Sequence, residues 1–289
     1  MKTKSDIKLI GIDLGGTKVN VGLVQGDKVL ASKYEKIPSQ SKNEWDVINL
    51  IIKLTKEIIS NHKIEAIGIG VPSILDRKNG VILEVQNIPS WKEVHLGDIL
   101  RNEFKVPVYL DNDANCFALG EYYFGQGKGC ENMIGLTLGT GMGTGIITNG
   151  KLMGDANGGS GEFGMIPYKD GVLEDYCSGK FFKNILKVDG ELTFNQAKQG
   201  DTNALKAYEL FGEHIANAVK TILYALDPEK IIIGGSIVQS AKFFENSMKQ
   251  NLQDFAYKKI LENLEINYSN ANDIAILGSA ALYYNLMNS

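Results

Sequence analysis

Residues 8–24, KLIGIDLGGTKVNVGLV, contain two β-rich runs on either side of a glycine turn, Gly15-Gly16-Thr17. Apolar residues dominate both runs, Lys8–Leu14 and Val19–Val24, and a second turn follows at Gln25-Gly26-Asp27. Short apolar runs separated by glycine turns are typical of neighbouring antiparallel strands. This stretch therefore predicts a β-meander near the start of the chain.

Residues 133–150, MIGLTLGTGMGTGIITNG, repeat the same plan. An ungapped offset of 124 pairs Gly15 with Gly139 and Gly26 with Gly150. The same elements then follow each meander in the same order: a helix, a strand, and a further strand and helix. In the first half these are a helix opened by the capping-box pattern Ser41–Glu44, strands Ile64–Val71 and Val108–Leu110, and helix Ala114–Phe124; in the second half they are helix Leu205–Leu226, strands Lys230–Ile233 and Ile274–Leu277, and helix Ser279–Leu286.

Two similar halves predict an α/β fold made of two domains that arose by internal duplication. Joined domains commonly leave a cleft between them, where ligands bind. We expect an N-terminal α/β domain over residues 1–112 and a C-terminal α/β domain over residues 113–275. The last helix, residues 276–289, is expected to pack back on the N-terminal domain.

The composition narrows the class of protein. Among the 289 residues 44% are hydrophobic and the net charge is −4, so there is no general basic surface for nucleic acid. No apolar stretch reaches the roughly 18 residues of a membrane span, and the first residues do not resemble a signal peptide. The three cysteines, Cys116, Cys130 and Cys177, are widely spaced and odd in number, which indicates reduced thiols in the cytoplasm.

Neither glycine loop fits a common nucleotide motif. Gly11–Lys18 nearly matches the phosphate loop G-x-x-x-x-G-K-[ST], but Thr and Lys are exchanged and a strand, not a helix, is predicted to follow. Gly139–Gly143 does not satisfy G-x-G-x-x-G, so a dinucleotide-binding fold is also rejected. Two hairpin turns remain, whose backbone N–H groups are able to hold an anion. The alternative is a pair of tight hairpins with glycine at positive φ.

Six motifs lie in one order along nearly the whole chain: Ile12–Lys18, Leu110–Asn115, Leu136–Gly141, Gly159–Gly164, Leu173–Gly179 and Ile233–Ser236. Together they resemble the ROK family (repressors, open reading frames and sugar kinases) of the sugar kinase, heat-shock protein and actin superfamily. The resemblance implies two actin-like (ribonuclease H-like) domains. It also implies an ATP-dependent kinase that uses Mg²⁺ and transfers the γ-phosphate to a hexose hydroxyl.

The candidate catalytic residues lie where a predicted strand ends and a helix begins. The resemblance implies that Asp113 is the catalytic base and that Asn112 binds sugar hydroxyls. The residues alone leave Asp111 open as well, because alternation along an extended segment places both carboxylates on one face. Asp or Asn before a helix is also often only an N-cap.

The resemblance implies further binding residues. The sugar is expected to contact Glu162, Glu174 and Asn87 in addition to Asn112. Asp13 is expected to hold Mg²⁺ through water. The nucleotide and its phosphates are expected to contact Asp13, Gly15, Gly16, Thr17, Lys18, Thr137, Gly139, Thr140, Gly141, Gly234 and Gly235.

The chain departs from its relatives at a metal site. Most relatives follow the glycine–glutamate motif with a histidine and three cysteines that bind structural zinc. Here Met165 occupies the histidine position, the segment 166–173 contains no cysteine, and Cys177 lies beyond it. We therefore predict that the protein has no zinc site. In relatives that histidine also touches the sugar, so the resemblance implies that this chain lacks one of their sugar contacts.

Glucose is the first substrate expected. An N-acetylmannosamine kinase, a fructokinase, or a sugar-sensing regulator without its DNA-binding domain are the alternatives. About six residues precede the first strand, which leaves no room for a helix-turn-helix. A chaperone or filament protein of the same fold would carry long insertions, and none is found. The expected protein is a cytoplasmic homodimer that acts on a small-molecule sugar and has neither nucleic acid nor membrane as a partner.

Overall fold

The computed structural model describes residues 6–38, 43–83, 85 and 88–287. Within them the chain forms two five-stranded mixed sheets and nine α-helices. Each sheet consists of an antiparallel meander followed by two strands parallel to the first strand of that meander. The predicted repetition of elements is therefore present in the strand order of the two sheets.

The first sheet has the strand order β3-β2-β1-β4-β7. Strands β1, β4 and β7 run parallel, so their carboxyl ends lie at one edge of the sheet. A short hairpin, β5–β6, lies between β4 and β7 in the chain. The strands are β1 (Lys8–Leu14), β2 (Lys18–Gln25), β3 (Lys28–Lys36), β4 (Ala66–Val71), β5 (Leu75–Asp76), β6 (Val81–Ile82) and β7 (Val108–Asn112).

Three helices accompany this sheet: α1 (Glu44–Ile59), α2 (Leu96–Phe104) and α3 (Asp113–Phe124). The capping box of α1 differs from the prediction. Asn43 is the N-cap: its Oδ1 accepts the Trp45 N–H at 3.0 Å, and Asp46 accepts the Asn43 N–H at 3.4 Å. The predicted cap, Ser41, lies outside the described residues. Apolar residues of α1 at helical spacing are buried.

The second sheet has the order β10-β9-β8-β13-β14. Its strands are β8 (Met133–Leu138), β9 (Met142–Thr148), β10 (Lys151–Leu152), β13 (Lys230–Gly234) and β14 (Glu265–Tyr268), and a separate hairpin is formed by β11 (Pro167–Tyr168) and β12 (Gly171–Val172). The accompanying helices are α4 (Leu173–Cys177), α5 (Gly190–Lys198), α6 (Thr202–Leu226), α7 (Ala241–Leu252) and α8 (Lys258–Asn263), with α9 (Ile274–Met287) last.

The prediction of a strand at Ile274–Leu277 was wrong. The fifth strand of the second sheet is β14, and Ile274 begins α9. Every residue of α9 from Ile276 to Leu282 is buried. A helix that is apolar on all sides lacks the 3.6-residue alternation that separates helix from strand, so periodicity gave no guide here.

Packing divides the chain into two compact units. The first contains Met1–Gly129, Gly145–Ser160 and Asn270–Ser289, and the second Cys130–Thr144 and Gly161–Ser269. This division differs from the expected boundary at residue 112. Helix α3 belongs to the first unit because it packs against α9, and α9 in turn packs on β1 and β4. Gly145 also joins this unit, since a Cβ there would lie 2.4 Å from the carbonyl oxygen of Ala114.

Replacing Gly278 of α9 with Ala is expected to cost about 3 kcal/mol through overpacking and to destabilise the protein by about 2 kcal/mol net. An added Cβ would lie 1.8 Å from the backbone oxygen of Cys116 in α3. The better helix propensity of Ala, about 1 kcal/mol, offsets only part of this cost. Urea unfolding measures the change. Gly154→Ala is the control, because nothing lies within 4 Å of its added Cβ; equal stability of the two variants would contradict the prediction.

Candidate active site

Polar side chains of the first unit gather at the carboxyl ends of parallel strands. Asp13 of β1 pairs in register with Gly70 of β4, and Gly70 pairs with Asp111 of β7. Two strand spacings separate the backbones of the two aspartates by about 10 Å. The Cys116 Sγ and the Ser279 Oγ pack against Gly70, since a Cβ there would lie 3.1 Å from each of them. This edge therefore carries two carboxylates, one on each side of a glycine that the side chains of Cys116 and Ser279 cover.

Asp111 is committed to contacts within the protein. Its side chain is 5% exposed, and Oδ1 accepts Arg77 Nε at 2.8 Å and Asn115 Nδ2 at 2.8 Å. The Asn112 N–H also donates to this oxygen, at 2.7 Å. Burial raises the pKa of Asp111, although Arg77 opposes the shift. A carboxylate with these partners is suited to hold structure, not to accept a proton from a ligand.

Asp113 has a different environment two residues later. It is the first residue of α3 and is exposed. The N-cap is Asn112, whose Oδ1 accepts the Ala114 N–H at 2.8 Å. Oδ1 of Asp113 accepts the same N–H at 2.8 Å. Because Asn112 already caps the helix, the cap alone does not account for Asp113, and its exposed carboxylate is accessible to a substrate.

The first glycine turn joins β1 to β2, as the rejection of the P-loop motif required. The Gly15 N–H donates to the Lys18 carbonyl at 2.9 Å, and Thr17 and Lys18 are exposed. Neither Gly15 nor Gly16 is among the described glycines with positive φ. The turn therefore does not need glycine for a left-handed backbone. The missing side chains instead leave its backbone open to close approach by a ligand.

Asp13 is half-buried beside this turn. Burial raises the pKa of its carboxyl group, and the positive charge of Lys18 partly opposes the shift. Burial thus raises the free energy of the ionised Asp13 carboxylate. A cation or another positive group near Asp13 would relieve that penalty.

Backbone hydrogen bonds within the second unit hold the second glycine loop, Gly139–Gly141. The Gly139 N–H donates to the Gly141 carbonyl at 3.0 Å, and the Gly179 N–H donates to the Gly139 carbonyl at 2.7 Å. Gly235 has φ of 88°, and a Cβ there would lie 2.2 Å from the Leu138 carbonyl oxygen. Position 235, directly after β13, therefore requires glycine, because a side chain there would collide with the end of β8. Thr140 is exposed at the tip of the second glycine loop.

Glu174 contacts the same loop. Its Oε2 accepts the Met142 N–H at 2.9 Å, and its Oε1 pairs with Lys180 Nζ at 2.5 Å. Both oxygens are thus engaged inside the second unit. Glu162 is exposed as a whole residue, but its carboxyl group is partly shielded from water. This partial burial, followed by the charge of Glu174, raises the pKa of Glu162. Of the two glutamates, Glu162 is the one that no described contact commits to another role.

Aromatic packing surrounds the segment where relatives were expected to carry zinc ligands. Tyr168, Tyr176 and His214 pack edge-to-face with ring centroids 5.0–5.8 Å apart. The Tyr168 hydroxyl bonds His214 Nδ1 at 3.1 Å, and the buried Cys177 thiol donates to the His214 carbonyl at 3.2 Å. In the described part of the chain, no group of three or more His, Cys, Asp or Glu side chains is arranged to hold a metal ion.

His214 supplies a prediction about pH. Burial lowers its pKa to about 4 from 6.5, and Lys169 adds to the shift. The unfolded chain therefore binds a proton between pH 6.5 and 4 that the folded chain does not, so stability falls as the pH falls through this window. As the pH falls from 7 to 5, His214 lowers the free energy of unfolding by about 2 kcal/mol. His214→Gln is expected to lose about that much less stability over the same interval in urea unfolding; parallel losses would contradict this.

The ROK family profile matches residues 9–285. The chain belongs to the ROK family. Among relatives of this ROK protein, a glucokinase of Thermotoga maritima is 31% identical, over 96% of this chain and 97% of that protein. A xylose repressor of Caldicellulosiruptor bescii is 29% identical, over 95% of this chain and 77% of the repressor.

A solved ROK family glucokinase from Streptomyces griseus, in complex with glucose and AMPPNP, matches with a TM-score of 0.80 and 25% identity. The match covers 95% of this chain and 98% of that one. A hexokinase of Thermus thermophilus has the same fold, with a TM-score of 0.83. The predicted fold class, an α/β protein with two actin-like domains, is confirmed.

The predicted site residues fall into two groups. Asp13, the turn Gly15–Lys18, Asn112 and Asp113 belong to the first unit. Thr137, the loop Gly139–Gly141, Glu162, Glu174, Gly234 and Gly235 belong to the second. Asn87 lies outside the described residues. No sequence pattern marked three charged residues that support these groups, Arg77, Asp155 and Lys180. Arg77 meets Asp111 and Asp155 through contacts that are distant in the chain, whereas Lys180 pairs with the nearby Glu174.

Proposed function

We propose that this ROK protein is an ATP-dependent hexose kinase and that glucose is its preferred sugar. The observation that carries the proposal is the exposed carboxylate of Asp113 beside the buried, paired carboxylate of Asp111. A kinase needs one such group within reach of the sugar hydroxyl. Nearly full-length similarity to glucokinases supports the choice of substrate.

In the proposed reaction Asp113 accepts the proton of one sugar hydroxyl, while the oxygen of that hydroxyl bonds to the γ-phosphorus of ATP. The bond from that phosphorus to the β–γ bridging oxygen breaks, and ADP leaves. Asn112 and Glu162 are proposed to bind the sugar, together with Asn87. The backbone N–H groups of the two glycine turns are proposed to hold the phosphates.

Asp13 fits the expected Mg²⁺. Its carboxyl group offers oxygen ligands of the kind that Mg²⁺ prefers, and burial penalises its charge, a cost that a bound cation would offset. Mg²⁺ would neutralise phosphate charge. The role of Asp13 is then to carry that cation, through water, beside the first glycine turn.

An ADP-release assay across a panel of sugars tests the proposal. Glucose, fructose, mannose and N-acetylmannosamine serve as acceptors, each with MgATP and with polyphosphate as donor. We expect the highest kcat/KM with glucose and MgATP. A different best sugar would revise the substrate, and absence of turnover with every sugar would refute the kinase.

A sugar-responsive regulator is the second candidate, because the xylose repressor matches over nearly the whole chain. Such a protein binds sugar without turning it over. Calorimetric sugar binding, combined with no release of ADP, would favour it over the kinase.

We propose that the protein folds and works without zinc, because aromatic packing of Tyr168, Tyr176 and His214 fixes the segment instead. Metal analysis is expected to find no stoichiometric zinc. Activity is expected to survive a zinc-selective chelator when Mg²⁺ stays in excess. Activity that is lost to the chelator and restored only by zinc would contradict this.

We further propose that the protein is a cytoplasmic homodimer. Its described cysteines are all free and buried, as expected for reduced thiols. Among the described residues, no helix has an apolar stretch long enough to cross a bilayer. Sedimentation velocity would test the dimer, and a single monomeric species at micromolar concentration would exclude it.

A further inference from the structure

Arg77, which follows the second residue of β5, joins two carboxylates in the first unit. Its Nε donates to Asp111 Oδ1 at 2.8 Å, and its Nη1 pairs with Asp155 Oδ2 at 2.6 Å. The three side chains are only 24%, 5% and 11% exposed. Charged hydrogen bonds that are shielded from water in this way are stronger than surface ion pairs.

The Asp155 end of this bridge organises a loop. Asp155 Oδ1 accepts the Gly158 N–H at 2.8 Å, and Oδ2 accepts the Ser160 hydroxyl at 2.9 Å. Burial opposes ionisation of Asp155, but hydrogen bonds from Arg77, Ser160 and Gly158 outweigh it and lower its pKa to about 2. The carboxylate is therefore ionised at neutral pH and fixes the loop 155–160, which leads directly to Gly161 and Glu162.

The Asp111 end of the bridge lies beside the proposed sugar and base residues. Asp111 also accepts the N–H of Asn112, and Asn112 is followed by Asp113. One guanidinium group thus holds the strand end that carries Asn112 and Asp113, and also the loop that precedes Glu162. Neither Arg77 nor Asp155 needs to touch a ligand to affect how one is bound.

We propose that Arg77 is a positioning residue for the sugar: by bridging Asp111 and Asp155 it fixes the Asn112–Asp113 segment and the 155–160 loop in the arrangement that binds the hexose. This inference rests on the proposed kinase function. Arg77→Met removes both hydrogen bonds. Since a charged hydrogen bond is worth about 1.5–3 kcal/mol, we expect the sugar KM to rise roughly 10- to 100-fold, with the KM for ATP unchanged.

Companion variants separate positioning from general stability. Asp155→Asn weakens the same bridge, so the double variant with Arg77→Met is expected to raise the sugar KM no more than Arg77→Met alone. Arg77→Lys keeps the charge but loses the forked guanidinium group that reaches two carboxylates. Its sugar KM is expected to lie between those of the wild type and Arg77→Met. The matched control is Arg101→Met, whose guanidinium bonds the Val108 carbonyl and Asp98 in the same unit; its sugar KM should stay within twofold of the wild type.

Hydrogen exchange on the whole protein supplies a readout that does not depend on catalysis. Arg77→Met is expected to speed exchange of the Gly158 and Ser160 N–H groups at least tenfold and to leave β4 protected. Unchanged exchange with an unchanged sugar KM would overturn the proposal, as would equal increases in both substrate KM values. If Arg77→Met does not fold, the same measurements on Arg77→Lys and Asp155→Asn test the proposal. A wild-type protein that phosphorylates no sugar would refute the kinase, while exchange would still report whether Arg77 orders the loop.

Discussion

Replacing Asp113 with Asn is expected to lower kcat by about 10²–10⁴-fold, the usual contribution of a positioned general base. This corresponds to roughly 3–5 kcal/mol of activation free energy. Sugar affinity and stability should change little. The Asn side chain keeps an oxygen that is able to accept the Ala114 N–H, as Asp113 Oδ1 does now, and the exposed position tolerates loss of charge. Steady-state kinetics and calorimetric sugar binding measure the two effects separately.

Asp111→Asn is the informative comparison. The substitution removes the charge that faces Arg77 in a buried pair, and breaking such a pair typically costs about 3–5 kcal/mol of stability. We therefore expect a lower urea midpoint and a higher sugar KM, with kcat within about tenfold of the wild type. The opposite result, a folded Asp111→Asn without turnover and an Asp113→Asn with near-normal kcat, would assign the base to Asp111.

The fold was predictable where local signals and global topology agree. The apolar runs on either side of Gly15–Thr17 and Gly139–Gly141 mark hairpins, and hairpins form between neighbours in sequence. Their repetition then specified two sheets. The prediction failed at residues 274–277, where a helix apolar on all sides shows no period, and where the true strand, β14, carries alternating polar residues at a sheet edge.

The site was predictable only in part, for a physical reason. Asp13 precedes a glycine turn and Asp113 lies where a predicted strand meets a predicted helix, so the local sequence marks both as candidates. Sequence reasoning left Asp111 and Asp113 as competing bases, and the contact that distinguishes them is made by Arg77, which is remote in the chain. Glu174 was expected to bind sugar, yet its carboxylate supports the second glycine loop through Met142 and pairs with Lys180. Its role in sugar binding stays a prediction.

Asp13→Ala is expected to lower kcat/KM for MgATP by about 10²–10³-fold, as when one group that stabilises developing charge is removed. The KM for the sugar should change much less, because Asp13 lies beside the phosphate-binding turn in our proposal. Kinetics with each substrate varied separately measure this. A large rise in sugar KM with normal use of MgATP would place Asp13 in the sugar subsite instead.

Although Asp13→Ala is expected to lower activity, its free energy of unfolding should not fall. Burial raises the pKa of Asp13, so its ionised form destabilises the folded protein above the ordinary pKa of a carboxyl group, and this cost disappears with the carboxylate. We expect an unfolding free energy at pH 7 that equals or exceeds that of the wild type. If Asp13 serves ligand binding and not the fold, its replacement lowers activity without lowering stability. A clear loss of stability would mean that Asp13 mainly supports the fold.

Lys18 provides a final check on the same carboxylate. Its charge opposes the rise in the pKa of Asp13, so Lys18→Met is expected to raise that pKa further and to move the acid limb of kcat/KM for MgATP to higher pH. Lys36 pairs with Lys18 across β2 and β3 and is also exposed, which makes Lys36→Met a matched loss of charge. The acid limb should not move in that control. Equal shifts in the two variants would show that net charge, and not the nearby charge of Lys18, governs the pH dependence.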